Sequence, residues 1–365
     1  MPVIGVLVCV VSIAGATLPA GGGNESPRIA RAMVPARAAV RHVGSPRVAR
    51  MTAPARAAVG HLGPRAKASI VGGESASIAN FPFQVALYDP QAGSPAAGFF
   101  CGGVIIDATH VITAAHCVVG GGGSSGEVAV LAGSTSLQPP DPGSVRDPVV
   151  VSTVDSHYDP ATSNSDIALL TLARPLWSGS SAPAINGVNT IAPLPLDPSR
   201  ASIDANPNVT SAITATSSGW GDVNQAPGHT ASYPTSLRSV QLPLVSESTC
   251  EEQYATIEQP ITTSMICAGG GRSHVDTCYG DSGGPLVVDH DTPAHPPGDY
   301  VLAGLVDFGN GCAQTGYAGV YTRVSSPEIV HFLSSGTGKV LSPVGLQAKR
   351  KKKRHKKRHR HRLAA

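Results

Sequence analysis

From residue 70 onward, short apolar runs alternate with polar turns that are rich in Gly, Pro, Asn and Asp. The runs are FPFQVALY, GGVIIDATHVITA, EVAVLAG, DIALLTLA, AITATSSGWG, SGGPLVVD, YVLAGLVDFG and AGVYTRV. Because helical periodicity is nearly absent, the pattern predicts an all-β sandwich or barrel. One helix is expected near the end, in SSPEIVHFLSS, where a Ser N-cap, Pro and Glu precede an apolar face. That face consists of Ile329, Val330, Phe332 and Leu333.

The first 69 residues have a different pattern. The apolar run from Val3 to Leu18 is too short and too rich in small residues to span a membrane, and it contains a small-x-small site at Ala14-Gly15-Ala16. Although no Lys or Arg precedes it, the run predicts a signal peptide over residues 1–16. Residues 17–69 are rich in Ala, Arg and Pro, lack aromatics and repeat PARAAV. They predict a disordered propeptide.

The formal net charge of +3 hides three regions. Residues 1–69 hold nine basic residues and one acid, and the run 349–362 holds eleven basic residues and no acid. The central region keeps 7 basic and 23 acidic residues, a formal charge of −16. The basic run predicts a disordered tail over residues 336–365. Such a tail is either simply solvated or binds an anionic polymer, lipid surface or nucleic acid.

Seven cysteines are present, and Cys9 would leave with the signal peptide. The even number that remains predicts disulfides in a secreted, extracellular protein. Zinc is the alternative, but no tight Cys-x-x-Cys pair or Cys/His cluster supports it. The sequence indicates no metal and no cofactor, no transmembrane segment after signal removal, and a monomer. The six cysteines are Cys101, Cys117, Cys250, Cys267, Cys278 and Cys312.

Three separate motifs carry the chemistry. TAAHC contains His116, SDIALL contains Asp166, and GDSGGP contains Ser282. A serine hydroxyl is a poor nucleophile unless a base takes its proton, and that base needs an acceptor that fixes its tautomer. Glycines around the serine let the backbone turn sharply. The N–H groups of Gly280 and Ser282 are then expected to hold an oxyanion.

With IVGG, CGGVII, GWG and GVYTRV, these motifs resemble the chymotrypsin/trypsin family of secreted serine endopeptidases, over about residues 70–335. The resemblance implies two packed six-stranded antiparallel β-barrels, a C-terminal helix and an active site in the cleft between the barrels. His116 and Asp166 would come from the first barrel, and Ser282 from the second. The protein substrates of such an enzyme would be cut through an acyl-enzyme.

The resemblance also implies the disulfides and the substrate pocket. The pairs would be Cys101–Cys117, Cys250–Cys267 and Cys278–Cys312. Asp276 would form the pocket floor and select Arg or Lys, because a buried carboxylate needs a cation. Gly309 and Gly319 would be wall positions that leave room for a long side chain, and Phe308 an apolar wall. An elastase-like preference conflicts with Asp276.

Activation is expected to depend on Asp281. In the family its carboxylate pairs with the ammonium of a new N-terminal Ile, here Ile70, which orders the site. Ser69 precedes Ile70, so a trypsin-like activator would not cut there. Either another protease cuts after Ser69, or a dipeptide is trimmed after a cut at Lys67, or the chain stays a zymogen.

A second departure from the family is Asp307, where a Ser hydroxyl usually donates a hydrogen bond to the triad Asp. Either Asp307 shares a proton with Asp166, or its side chain turns away. These departures leave an alternative function open. In that alternative the chain is a weak or inactive protease homologue that binds anionic surfaces through its basic tail.

Overall fold

The computed structural model describes residues 70–119, 126–179, 184–185, 188–189, 213–224, 231–270, 275–289 and 300–338. The predicted signal peptide, propeptide and basic run lie outside these residues. Within them, strands dominate, as the hydrophobic pattern predicts. A short first strand, β1 (Glu74–Ser75), precedes two closed barrels.

Six antiparallel strands close the first barrel. They are β2 (Gln84–Tyr88), β3 (Phe99–Ile105), β4 (His110–Thr113), β5 (Ala129–Ala132), β6 (Val145–Val154) and β7 (Ala168–Leu172), and they follow one another around the wall in the order β2-β3-β4-β7-β6-β5. A two-stranded hairpin follows, from β8 (Ala184–Ile185) and β9 (Val188–Asn189).

The second barrel also has six strands. They are β10 (Thr214–Gly219), β11 (Arg238–Val245), β12 (Met265–Ala268), β13 (Pro285–Asp289), β14 (Tyr300–Phe308) and β15 (Gly319–Arg323). The order around the wall is β11-β10-β13-β14-β15-β12, with β12 returning to β11, and β1 adds to the outer edge of β11. The two closed barrels confirm the predicted fold class.

Strand residues alternate between two apolar clusters. In β7, Leu170 packs inside the first barrel, whereas its neighbour Leu169 packs in a cluster that residues of both barrels share. Since successive side chains point to opposite faces of a strand, both faces of such a strand are buried. This is why the sequence shows continuous apolar runs where a one-sided sheet would alternate. The shared cluster holds the barrels together and so defines the cleft.

Three α-helices lie within the described ranges: α1 (Pro95–Gly98), α2 (Glu247–Ala255) and α3 (Pro327–Thr337). The last is the expected C-terminal helix. It begins after Ser326 and packs Ile329 and Leu333 into the shared cluster, although the Ser326 hydroxyl makes no capping bond. The sequence pattern did not predict α2, because only Cys250 and Tyr254 are buried along it and no apolar stripe marks it.

Candidate active site

The first barrel brings His116 and Asp166 together. His116 lies in a 3-10 helix (Ala115–Cys117) just after β4, and Asp166 lies just before β7, which pairs with β4. Asp166 Oδ1 accepts the backbone N–H of His116 at 2.9 Å, and Oδ2 lies 2.6 Å from its Nδ1. Asp166 is fully buried while the His116 side chain is 35% exposed. With Nδ1 engaged, Nε2 is the ring nitrogen left to take a proton.

The second barrel holds Asp166 from the other side. The Thr322 hydroxyl, on β15, donates to the backbone carbonyl of Asp166 at 2.7 Å. Next to it, the Ser165 N–H donates to the hydroxyl of Ser264 at 3.0 Å. Sequence reasoning missed both contacts. Thr322 is part of the GVYTRV motif, but nothing in that motif indicates a bond to a residue of the other barrel.

Ser282 sits in a turn that only glycines allow. Gly280 and Gly283 have φ angles of +91° and +74°, a region that side-chain-bearing residues rarely adopt. A Cβ at Gly283 would also lie 2.7 Å from the carbonyl oxygen of Gly102 in the first barrel. The turn is fixed from both sides, because Gly102 N–H donates to the Ser282 carbonyl at 2.8 Å and Gly283 N–H donates to Val306 at 2.7 Å.

One cavity of about 360 Å³ joins these groups. His116 and Ser282 both line it. The residues that sequence analysis assigned to the substrate pocket line the same cavity, namely Asp276, Phe308, Gly309 and Gly319. Tyr158 and Ser163 also line it and were not anticipated, since they lie in the loop between β6 and β7 outside any motif.

Asp276 is buried in the cavity wall with two backbone donors. Its carboxylate accepts the N–H groups of Thr277 and Ala313, each at 2.9 Å. Burial raises the pKa of Asp276 to about 7, although these two N–H groups oppose the rise. A Cβ at Gly319 would lie 2.8 Å from Asp276 Oδ1, so glycine there keeps space beside the carboxylate. No basic side chain in the described part of the chain forms an ion pair with it.

The Asp281 carboxylate is buried more completely than that of Asp276. Its carboxylate accepts the N–H of Gly221 at 2.8 Å and that of Cys278 at 2.9 Å. Burial raises the pKa of Asp281 to about 7, against the opposing effect of these two donors. Ile70 is fully buried in the core of the second barrel, and the Val71 carbonyl accepts the N–H of Asp276 at 3.1 Å.

Three disulfides form, with the pairing that the family resemblance implied. Cys101–Cys117 ties β3 to the 3-10 helix that carries His116. Cys278–Cys312 joins the segment before Ser282 to the segment after β14, and both of its residues line the cavity. These cysteines therefore offer no thiolates, and the zinc alternative is wrong.

Asp307 points into the site. It is 6% exposed, and it lines the cavity together with Ser163. One nitrogen of His116 and one oxygen each of Asp166 and Asp307 lie within 4.8 Å of one another. The sequence left two alternatives open for Asp307. The alternative in which its side chain turns away from Asp166 is wrong.

A family model described as Trypsin matches residues 70–330. The chain belongs to the trypsin family. It is 35% identical over 260 residues to Trypsin-1 of Astacus astacus, which covers 70% of this chain and 95% of the relative. It is 34% identical over 267 residues to a vitellin-degrading protease of Bombyx mori, covering 72% and 84%. It is 33% identical over 257 residues to a trypsin of Saccharopolyspora erythraea, covering 70% and 94%.

Membership of the trypsin family makes the chain a serine endopeptidase with protein substrates, as the motifs predict. The match begins at Ile70. Across the described ranges, no helix is long and apolar enough to cross a membrane.

Proposed function

We propose that this trypsin-family chain is secreted, is made as a zymogen and cleaves peptide bonds after Arg or Lys. Ser282 would attack the substrate carbonyl, His116 would take the serine proton and return it to the leaving amine, and Asp166 would hold the ring. The N–H groups of Gly280 and Ser282 would stabilise the oxyanion. One observation carries the proposal: a single cavity is lined by His116, Ser282 and the buried carboxyl of Asp276.

Specificity follows from the charge in that cavity. A guanidinium or ammonium group that enters the cavity gives up its contacts with water and gains a contact with Asp276. Because the Asp276 carboxylate is deeply buried, such a cation stabilises it. A neutral side chain leaves the carboxyl unpaired or protonated. Gly319 and Gly309 add no side-chain bulk to the lining, which suits a long side chain. Arg-ending and Lys-ending peptides are therefore the expected substrates.

The zymogen proposal rests on how residues 70 and 71 pack. Ile70 has a φ of +38°. This conformation is strained for a β-branched residue as long as its peptide bond to the preceding residue is intact. Val71 packs against the Cys278–Cys312 disulfide and Ala313, and it binds the backbone of Asp276. A cut before Ile70 would release this constraint and supply an ammonium for Asp281. Ordering of this segment would thus be coupled to the pocket.

Secretion is supported by the apolar run before residue 17 and by the three disulfides, which persist in oxidising compartments. The activator is a protease that cuts after Ser69, or one that cuts after Lys67 and is followed by dipeptide removal. The alternative of an inactive homologue is not favoured, because the His116–Asp166 pair and the Ser282 turn are both assembled. Binding through the basic run stays a prediction.

The test is to sequence the N-terminus of the secreted protein and assay it on peptides ending in Arg, Phe and Ala. Ser282→Ala should abolish turnover, and Asp276→Ser should abolish turnover of the Arg peptide. A matched control is Asp147→Asn, which alters a buried carboxylate that binds Arg174 outside the cavity. Unchanged Arg turnover by Asp276→Ser would overturn the specificity. An inactive protein that begins at Ile70 would overturn the proposed enzyme.

A further inference from the structure

A β-bulge aims Asp307 at the catalytic groups. Along β14 and β15, Val306 pairs with Tyr321 and Phe308 pairs with Val320, so Asp307 is the extra residue between them. Bulges re-aim a side chain locally and often lie next to active sites. Here the bulge lies where an oxygen of the Asp307 carboxyl comes within 4.8 Å of an oxygen of Asp166. The position is therefore built into the strand.

Two carboxylates at this separation cannot both stay charged in a buried setting. Asp166 is fully buried and Asp307 is 6% exposed, so little water screens their repulsion. A buried pair of carboxyl groups this close together holds one proton, as in other carboxylates that share a site. The question is which member of the pair carries it.

The hydrogen-bond partners answer the question. Both oxygens of Asp166 face donors from His116, which stabilises the charged form of Asp166. Asp307 lines the same cavity as Ser163, and its buried Oδ2 has no hydrogen-bond partner among the described residues. A buried oxygen without a partner is uncommon in folded proteins. A proton on Asp307 would convert an unsatisfied acceptor into a donor.

We propose that Asp307 keeps its proton in the working enzyme and donates it to Asp166, so that the two carboxyl groups together carry one negative charge. Asp307 is then a positioning residue that acts through Asp166 on His116. This inference rests on the proposed roles of His116, Asp166 and Ser282. It assigns a specific function to the residue that departs from the family pattern.

The surroundings of Asp307 favour its protonated form. Burial, and next the charge of Asp166, raise the pKa of Asp307 well above its usual range, and the Ser163 side chain only partly opposes them. The titratable groups that face it are Asp166, His116, Tyr158 and Tyr254. Burial and the nearby acids raise the pKa of Tyr158 to about 12, so this phenol adds no charge at neutral pH.

Loss of the proton has a direct consequence. An ionised Asp307 no longer donates to Asp166 and instead repels it, which loosens the carboxylate that holds His116. We therefore expect kcat/KM to fall on the alkaline side in a step that belongs to the carboxyl pair. An amide at position 307 keeps an N–H donor at every pH and cannot ionise.

The first experiment detects the proton itself, without catalysis. Infrared spectra of the full chain carrying Ser282→Ala are compared with those of Ser282→Ala/Asp307→Asn at neutral pH. The protonated-carboxyl C=O band is expected to lose one component in the double variant. Asp147→Asn in the same background is the matched control and should leave the band unchanged. A spectrum that loses only carboxylate absorbance with Asp307→Asn would overturn the proposal.

The second experiment measures pH profiles of kcat and KM for the activated chain. The kcat/KM of the wild type should fall on the alkaline side, whereas that of Asp307→Asn should not. The kcat of Asp307→Ala should be about tenfold lower than that of Asp307→Asn, with little change in KM. Profiles of one shape for wild type and Asp307→Asn would overturn the proposal. Because the infrared test needs no turnover, failure of the proposed triad, read as activity in Ser282→Ala, is distinguishable from failure of this inference.

Discussion

The two barrels differ in how they treat buried carboxylates. In the first barrel three of the four buried acids have a basic side chain of the same barrel beside them, and the fourth, Asp89, accepts the backbone N–H of Gln91. Asp166 has His116 at 2.6 Å, Asp147 has Arg174 at 2.9 Å, and Asp155 has His157 at 2.9 Å. In the second barrel three buried acids form no ion pair with a basic side chain of the described residues: Asp276, Asp281 and Asp307. These three first-barrel acids thus have basic partners within the fold, whereas the three second-barrel acids form no such ion pairs.

Under the proposed function, the difference means that the site depends on groups that arrive from elsewhere. Burial raises the pKa of all three second-barrel acids, so each favours a proton or a cation. In the proposed function, Asp281 receives the new N-terminus, Asp276 receives the substrate's basic side chain, and Asp307 keeps a proton. The three partners are supplied by activation, by binding and by solvent respectively. Under this proposal the first barrel serves as a fixed platform, while the second barrel is the part that responds.

The largest expected effect comes from removing the charge of Asp281, the proposed partner of the new N-terminus. In the chain cut before Ile70, Asp281→Asn should lower kcat/KM by about a hundredfold to a thousandfold, because a buried ammonium would lose its partner. Steady-state kinetics on an Arg-ending peptide measures this loss.

The control for that measurement is Asp147→Asn, which also removes a buried charge but leaves the first barrel's part of the site in place. It should retain activity within about tenfold. If Asp281→Asn is as active as this control, the ammonium–carboxylate switch is wrong. The comparison of the two barrels would then lose its functional meaning.

A smaller effect concerns the charge of Asp276, the proposed partner of the substrate's basic side chain. Binding of arginine amide to the Ser282→Ala chain cut before Ile70 should weaken about tenfold for each pH unit below about 7, because the ligand binds the ionised form of Asp276. Above that pH the affinity should level off. Calorimetric titration from pH 5 to pH 8 measures the slope, and Asp276→Asn should bind weakly with no such slope. A pH-independent affinity in the unsubstituted pocket would contradict the assignment.

Local motifs identified residues that the structure brings together, since His116 contacts Asp166 and lines one cavity with Ser282. The residues that flank His116, Asp166 and Ser282 form turns and strand ends whose shape depends on nearby glycines and apolar positions, so their sequence is informative. The two barrels were also predicted, but only through the family resemblance, since periodicity alone left a sandwich open. The disulfide pairing came from the same source.

Long-range contacts were beyond the sequence pattern. Thr322 and Asp166 are 156 residues apart, and their bond depends on how the two barrels pack. The inward aim of Asp307 depends on a bulge between β14 and β15, which a single strand sequence does not specify. Strand β6 is largely exposed and so lacks a clear alternation, and α2 lacks an apolar stripe. In each case tertiary packing, and not local propensity, decides the structure.

The smallest expected effect concerns an ion pair of the first barrel, between Arg174 and Asp147, and tests whether that barrel is unaffected by activation. Arg174 is 70% exposed, whereas its partner Asp147 is 2% exposed and also accepts the backbone N–H of Arg174 at 3.2 Å. Arg174→Ala removes the guanidinium but keeps that backbone donor, so Asp147 is not left without a partner. We expect a loss of about 1 kcal/mol or less in the free energy of unfolding, measured by urea denaturation. The loss should be the same before and after the cut at Ile70, because activation supplies no group to this pair. A loss that grows on activation would mean that the first barrel also responds, and the division between platform and responsive barrel would have to be abandoned.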